Sequence, residues 1–152
     1  LAHSAFKMGE TAAGNALGGR EEVRLDNTPK CVYTLPEIAS VGLTEEEALK
    51  KYGKIRTGRF NFGANGRAIA SSEEEGFVKV ICDDKYGEIL GVHVIGSKAT
   101  EMISAGVILM EMEITIEEAS ELIYAHPTFS EAILEACADC LGKALHLPKK
   151  KM

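Results

Sequence analysis

The chain has 152 residues, of which 45% are hydrophobic and 26% charged, a balance that suits one globular domain and argues against disorder. Its formal charge of -6 and its acidic pI argue against a nucleic-acid surface. No apolar run approaches the ~18 residues that a membrane span needs.

The opening stretch LAHSAFKMGETAAGNALGG reads as a helix closed by Gly18 and Gly19. The chain therefore begins inside a helical pattern at Leu1, and the expectation is that a preceding part is missing. GGREEVRLDNTPK is polar and turn-rich, and is the stretch nearest to a domain boundary. CVYTLPEIASVG alternates loosely around Pro36 and predicts strands interrupted by a turn. LTEEEALKKYG predicts a short helix with Thr44 as cap, Glu47 at the capping-box position and Gly53 at its end. IRTGRFNF reads as a strand, and GANGRAIAS as a loop with a helical turn. GFVKVICDD and EILGVHVIG flank KYG as the two arms of a hairpin.

From Ser97 the period changes. SKATEMISAGVILMEME predicts a long apolar-striped helix, and TIEEASELI a second one capped by Thr115 and Glu118. A last helix follows AHPTFSEA. Strands first and helices last predict an α+β fold, an antiparallel sheet with helices packed on one face. MISAGVILMEM carries more apolar surface than one sheet face uses, which predicts a two-fold dimer.

Several features resemble chemical motifs without meeting their requirements. GVHVIGSKAT has strand, glycine and helix in order, but Ser97 separates Gly96 from Lys98, so it lacks the lysine position of a phosphate-binding loop. No G-x-G-x-x-G occurs, so the chain holds no complete dinucleotide-binding unit. Cys137 and Cys140 have the spacing of a redox pair, yet both lie on an apolar stripe running from Phe129 through Ala132, Ile133 and Ala136 to Leu145, which predicts core. Without a second cysteine pair there is no zinc site, and no metal is expected. Cys31 and Cys82 also lie in apolar segments, so reduced thiols and an intracellular compartment are expected. His93 stands between two valines of a strand and reads as structural or solvent-facing; His146 precedes the tail LPKKKM and reads as frayed. The acidic runs at 45–47 and 73–75 read as solvated faces or turns.

His126 and Glu131 remain. In one reading Thr128 caps a helix beginning at Phe129, and Glu131 is only its capping-box partner. In the other, a His-Pro turn sets the imidazole against that helix, and the carboxylate holds one ring nitrogen so that the second serves as a base. Spacing alone does not separate the two.

YAHPTFSEAILEACADCLGKALHLP resembles the C-terminus of a dihydrolipoamide dehydrogenase of the flavin disulfide oxidoreductase family. YTLPEIASVGLTEEEA, RFNFGANGRAIAS with GFVKV, and ILGVHVIGSKATEMI agree with it in order. The resemblance covers essentially the whole chain. It implies that residues 1–19 are the terminal helix of the preceding FAD-binding part, and residues 20–152 the interface domain. It implies a homodimer in which His126 is the catalytic base and Glu131 its orienting partner, both reaching the flavin and redox disulfide of the other subunit. The backbone of Leu1, Ala2 and His3 is implied to touch FAD. The full-length enzyme would oxidise dihydrolipoamide, free or on a lipoyl domain, with FAD and NAD, in a bacterial cytoplasm or a mitochondrial matrix. The present chain would bind neither cofactor and would be inactive alone. Tyr124 stands where this family commonly has another histidine, and Asn61 where it commonly has proline. The alternatives are the interface domain of a glutathione or mercuric reductase, or an association module without chemistry.

Overall fold

A computed structural model describes residues 1–148. Five strands, β1 (Lys30–Val32), β2 (Glu37–Gly42), β3 (Ile55–Asn61), β4 (Gly76–Asp83) and β5 (Ile89–Gly96), form one sheet in the order β1-β2-β5-β4-β3. Every pairing is antiparallel. The helices are α1 (Ala2–Ala16), α2 (Glu45–Tyr52), α3 (Gly66–Ser71), α4 (Ala99–Glu111), α5 (Ile116–Ala119) and α6 (Glu131–Cys140). The expected α+β architecture is thus observed.

Period-two alternation builds the core. Phe60 of β3, Val78, Val80 and Cys82 of β4, Val92 and Val94 of β5, and Ala39 and Val41 of β2 are buried together. They meet Met102, Ile103 and Leu109 of α4 and Ala132, Ile133, Ala136 and Cys137 of α6. Each fully buried branched side chain contributes about 1.5–3 kcal/mol. On the opposite face α2 adds a smaller cover, with Ala48 over Ile81 and Leu90. Gly58 sets how closely α6 lies on β3: a Cβ there would overlap the Ala136 carbonyl oxygen and the Cys140 amide nitrogen.

Local signals account for most boundaries. Both expected capping boxes form, Thr44 with Glu47 and Thr115 with Glu118. The hairpin turn after β4 is held by the Asp83 carboxylate, which accepts the amides of Lys85 and Tyr86 at 2.9 Å and that of Glu88 at 2.7 Å. The helix expected over TIEEASELI is only the four residues of α5, after which the chain runs on without regular structure to the start of α6. α6 likewise starts later than Phe129 and stops at Cys140, with Gly142 in the left-handed region at φ 67°. The far end of the anticipated stripe therefore leaves the core, and Leu145 is exposed.

Candidate catalytic dyad

His126 and Glu131 are brought together. Nδ1 of His126 lies 2.8 Å from Oε1 of Glu131. A carboxylate only accepts, so in the neutral ring the proton is on Nδ1 and Nε2 carries the lone pair. The His126 side chain is 74% exposed and that of Glu131 21%, so the ring presents itself to an incoming molecule while the carboxylate is held within the fold. The peptides His126-Pro127 and Leu35-Pro36 are cis.

Thr128 organises the turn differently from the cap predicted for it. Its hydroxyl donates to the Ala125 carbonyl at 2.7 Å instead of accepting from the helix. The N-cap position falls to Ser130, whose side chain makes no capping bond. The other half of the box does form: the Thr128 amide donates to Oε2 of Glu131 at 2.7 Å. Glu131 thus serves the helix start with one oxygen and His126 with the other, and the two readings of the sequence coexist.

The turn is tied to the rest of the fold by residues that the sequence did not single out. Asn65, 3% exposed, caps α3 by accepting the Ala68 amide at 2.9 Å. Its Nδ2 donates to the Thr128 carbonyl at 3.0 Å. Phe129 meets Phe62 edge-on, ring centroids 5.8 Å apart. Both partners lie in GANGRAIAS or just before it, a stretch that reads only as loop and helical turn when its long-range contacts are unknown.

Leu1, Ala2 and His3 lie elsewhere, at the start of α1, where His3 Nε2 donates to the Pro29 carbonyl at 2.8 Å. The Leu1 N-cap makes no side-chain capping bond, so the first-turn amides have no side-chain acceptor. α1 buries only Thr11.

The remaining candidates are structural. His93 Nε2 donates to the Leu43 carbonyl at 2.9 Å, and burial pulls its pKa below the ordinary histidine value. Cys137 is buried and its thiol is pushed up to about 12 by that burial. The Cys140 thiol, which donates to the Val80 carbonyl at 3.6 Å, is raised as well, by the neighbouring Cys82 thiol and then by burial, so neither member of the pair is a ready nucleophile. Tyr124 is pushed up to about 12, chiefly by burial, and is neutral near pH 7. Asn61 accepts from Arg59 Nε at 3.2 Å. His146 is not frayed: its Nδ1 donates to Glu135 at 2.9 Å, while the lysines and methionine that end the chain lie outside the described residues. No helix among the described residues is long and apolar enough to cross a membrane, and none of their His, Cys, Asp and Glu side chains form a group able to hold a metal.

A model of the dimerisation domain of the pyridine nucleotide-disulphide oxidoreductases matches residues 28–137. Dihydrolipoyl dehydrogenase of Bacillus subtilis (strain 168) is 42% identical over 146 residues, 96% of this chain and 32% of that protein. The dihydrolipoyl dehydrogenase of Rhizobium etli is 49% identical over 118 residues, 78% of this chain and 24% of its own. The chain spans about a third of the length of the first of these. Among solved structures, LpdA from Mycobacterium tuberculosis superposes with a TM-score of 0.74 at 31% identity, covering 83% of this chain and 28% of that one. The HOCl-induced flavoprotein disulfide reductase RclA from Escherichia coli gives 0.77 at 26% identity, over 85% and 30%.

Proposed function

The chain belongs to the pyridine nucleotide-disulphide oxidoreductase family through that family's dimerisation domain, and from this premise we propose that it is the C-terminal dimerisation domain of a dihydrolipoyl dehydrogenase. The observation that carries the reading is the 2.8 Å contact that keeps the proton on Nδ1 of an exposed His126, both partners lying inside the stretch that the family model matches. Nε2 is then a base. A free thiol has a pKa of about 8.5 and attacks a disulfide only as thiolate, so removing its proton as sulfur attacks is worth roughly 10²–10⁴-fold. Glu131 holds the ring in this tautomer and complements the positive charge that the ring acquires.

The substrate in this reading is dihydrolipoamide, free or on a lipoyl domain. The disulfide it reduces belongs to the other subunit of a homodimer, towards which the exposed Ile108, Met112 and Ile123 are suited as contact surface. FAD and NAD, held in the part of the enzyme outside this chain, supply the onward transfer of electrons. Leu1, Ala2 and His3 would meet the flavin through backbone amides. Residues 1–19 then belong with the preceding FAD-binding part, in keeping with the exposure of α1, and residues 20–152 form the interface domain. This chain alone would bind neither cofactor and oxidise no dihydrolipoamide. A bacterial cytoplasm or mitochondrial matrix is the corresponding location.

The test is steady-state dihydrolipoamide oxidation by a full-length chain carrying His126→Gln. The expected result is a loss of about 10²–10⁴-fold with flavin binding kept. Turnover near that of the unmodified enzyme would leave only the association role.

A further inference from the structure

We propose that Asn65 is a positioning residue for His126, acting through the peptide groups of Thr128; the inference rests on the base role given to His126 above. Thr128 uses all three of its polar groups. Its amide donates to Glu131, its hydroxyl to Ala125, and its carbonyl accepts from Asn65. Glu131 divides its oxygens between the Thr128 amide and His126 Nδ1. A displacement of Thr128 therefore moves the carboxylate, and the carboxylate orients the ring. Asn65 is the hydrogen bond that fixes Thr128 to a distant part of the chain, 63 residues away in sequence. Phe62, three residues before it, grips the adjoining Phe129. One short segment thus clamps the turn with one polar and one apolar contact.

The chemistry of the site asks for asparagine. At 3% exposure water does not substitute for a missing partner, and the side chain must accept from Ala68 and donate to Thr128 at once. Aspartate and serine cap helices about as well as asparagine. Aspartate, however, would turn an acceptor towards the Thr128 carbonyl, and serine is too short to span both partners. These two substitutions retain the cap on α3 and remove the tie to the turn.

The test reads histidine tautomers by ¹⁵N NMR in this chain, unmodified and as Asn65→Asp and Asn65→Ser. The unmodified chain should show His126 as the Nδ1–H form and His93 as the Nε2–H form, since His93 donates to Leu43 through Nε2. Both variants should shift His126 towards the Nε2–H form and leave His93 unchanged. In full-length enzyme each should lower turnover about tenfold or more with flavin spectra unaltered, because misplacing a reacting group by ~1 Å can cost ~10²-fold. An unchanged His126 signature in either variant overturns the proposal. So does a change of His93 together with His126, which would mark a general loss of fold. If the variants release His126 as expected but His126→Gln proves active, the positioning stands and the base role is what fails.

Discussion

Helix α6 carries two histidine–glutamate pairs that look alike. Glu131 and Glu135 lie one turn apart, and each accepts from the Nδ1 of a histidine, at 2.8 Å for His126 and 2.9 Å for His146. What surrounds them differs. Glu135 also takes the backbone amides of Leu145 at 3.0 Å and His146 at 3.1 Å, so its carboxylate fastens the chain that has just left the helix. The contacts span only ten or eleven residues. Glu131 instead shares itself between a turn and a ring, and that turn is tied through Thr128 to Asn65, far away in sequence. The family match ends at residue 137 and so includes the first pair whole but only the glutamate of the second. A carboxylate on an imidazole is therefore no signature of catalysis by itself; the two pairs differ in what else holds the carboxylate.

The largest expected difference between the pairs is kinetic. In a full-length chain, His146→Gln should keep dihydrolipoamide oxidation within about twofold, against the ~10²–10⁴-fold loss for His126→Gln; equal losses in steady-state rates would erase the distinction. Glu131→Gln should lower turnover less than His126→Gln, because the amide oxygen still accepts from Nδ1 although it carries no charge to offset the imidazolium. Stability should rank the glutamates the other way. Glu135, nearly buried, accepts three bonds, and Glu135→Gln should cost about 1–3 kcal/mol in denaturant unfolding. Glu131→Gln, which weakens one backbone bond, should cost less.

Gly58→Ala should disturb both pairs together, since it displaces the helix that carries both glutamates, at about 1–3 kcal/mol of unfolding free energy. Paired movement of the His126 and His146 ring signals would show it. Acid should act more gently and without preference. Glu37 is held below the ordinary carboxylate range by the Thr100 amide and hydroxyl. Burial pushes Asp83 upward, but its three backbone donors outweigh that and leave it low. A carboxyl depressed by folding adds stability that is full above its unfolded value near ~4 and lost as pH falls through the folded one. Urea midpoints should begin to fall as pH drops below the ordinary histidine value of ~6.5, because folding depresses His93, and should fall further below ~4 as the two carboxyls protonate.

Sequence signals that act over three or four residues were readable. The two capping boxes and the β4–β5 hairpin follow from local spacing, whereas spacing leaves the His126–Glu131 contact open between a cap and a pair. Signals that need a partner elsewhere were not. Nothing near Thr128 says that its hydroxyl closes the turn on Ala125 while Asn65 takes its carbonyl. TIEEASELI has a sound cap and an apolar period, yet the helix ends after Ala119 and leaves Ile123 fully exposed. His146 reads as part of a loose tail because the carboxylate that receives it sits on the helix before.

Asp139 of α6 accepts the amide of Arg59 at 3.0 Å. β3 is an outermost strand of the sheet, and this amide is one that β4 does not use. An open strand edge is a template on which further copies of a chain add and polymerise, and a buried negative charge laid across it blocks such growth. At the other margin β1 offers only three residues, too short a rail for the same process. Each margin of the sheet thus has a feature that opposes strand addition, and Asp139→Ala should give faster turbidity growth in concentrated solution on gentle warming.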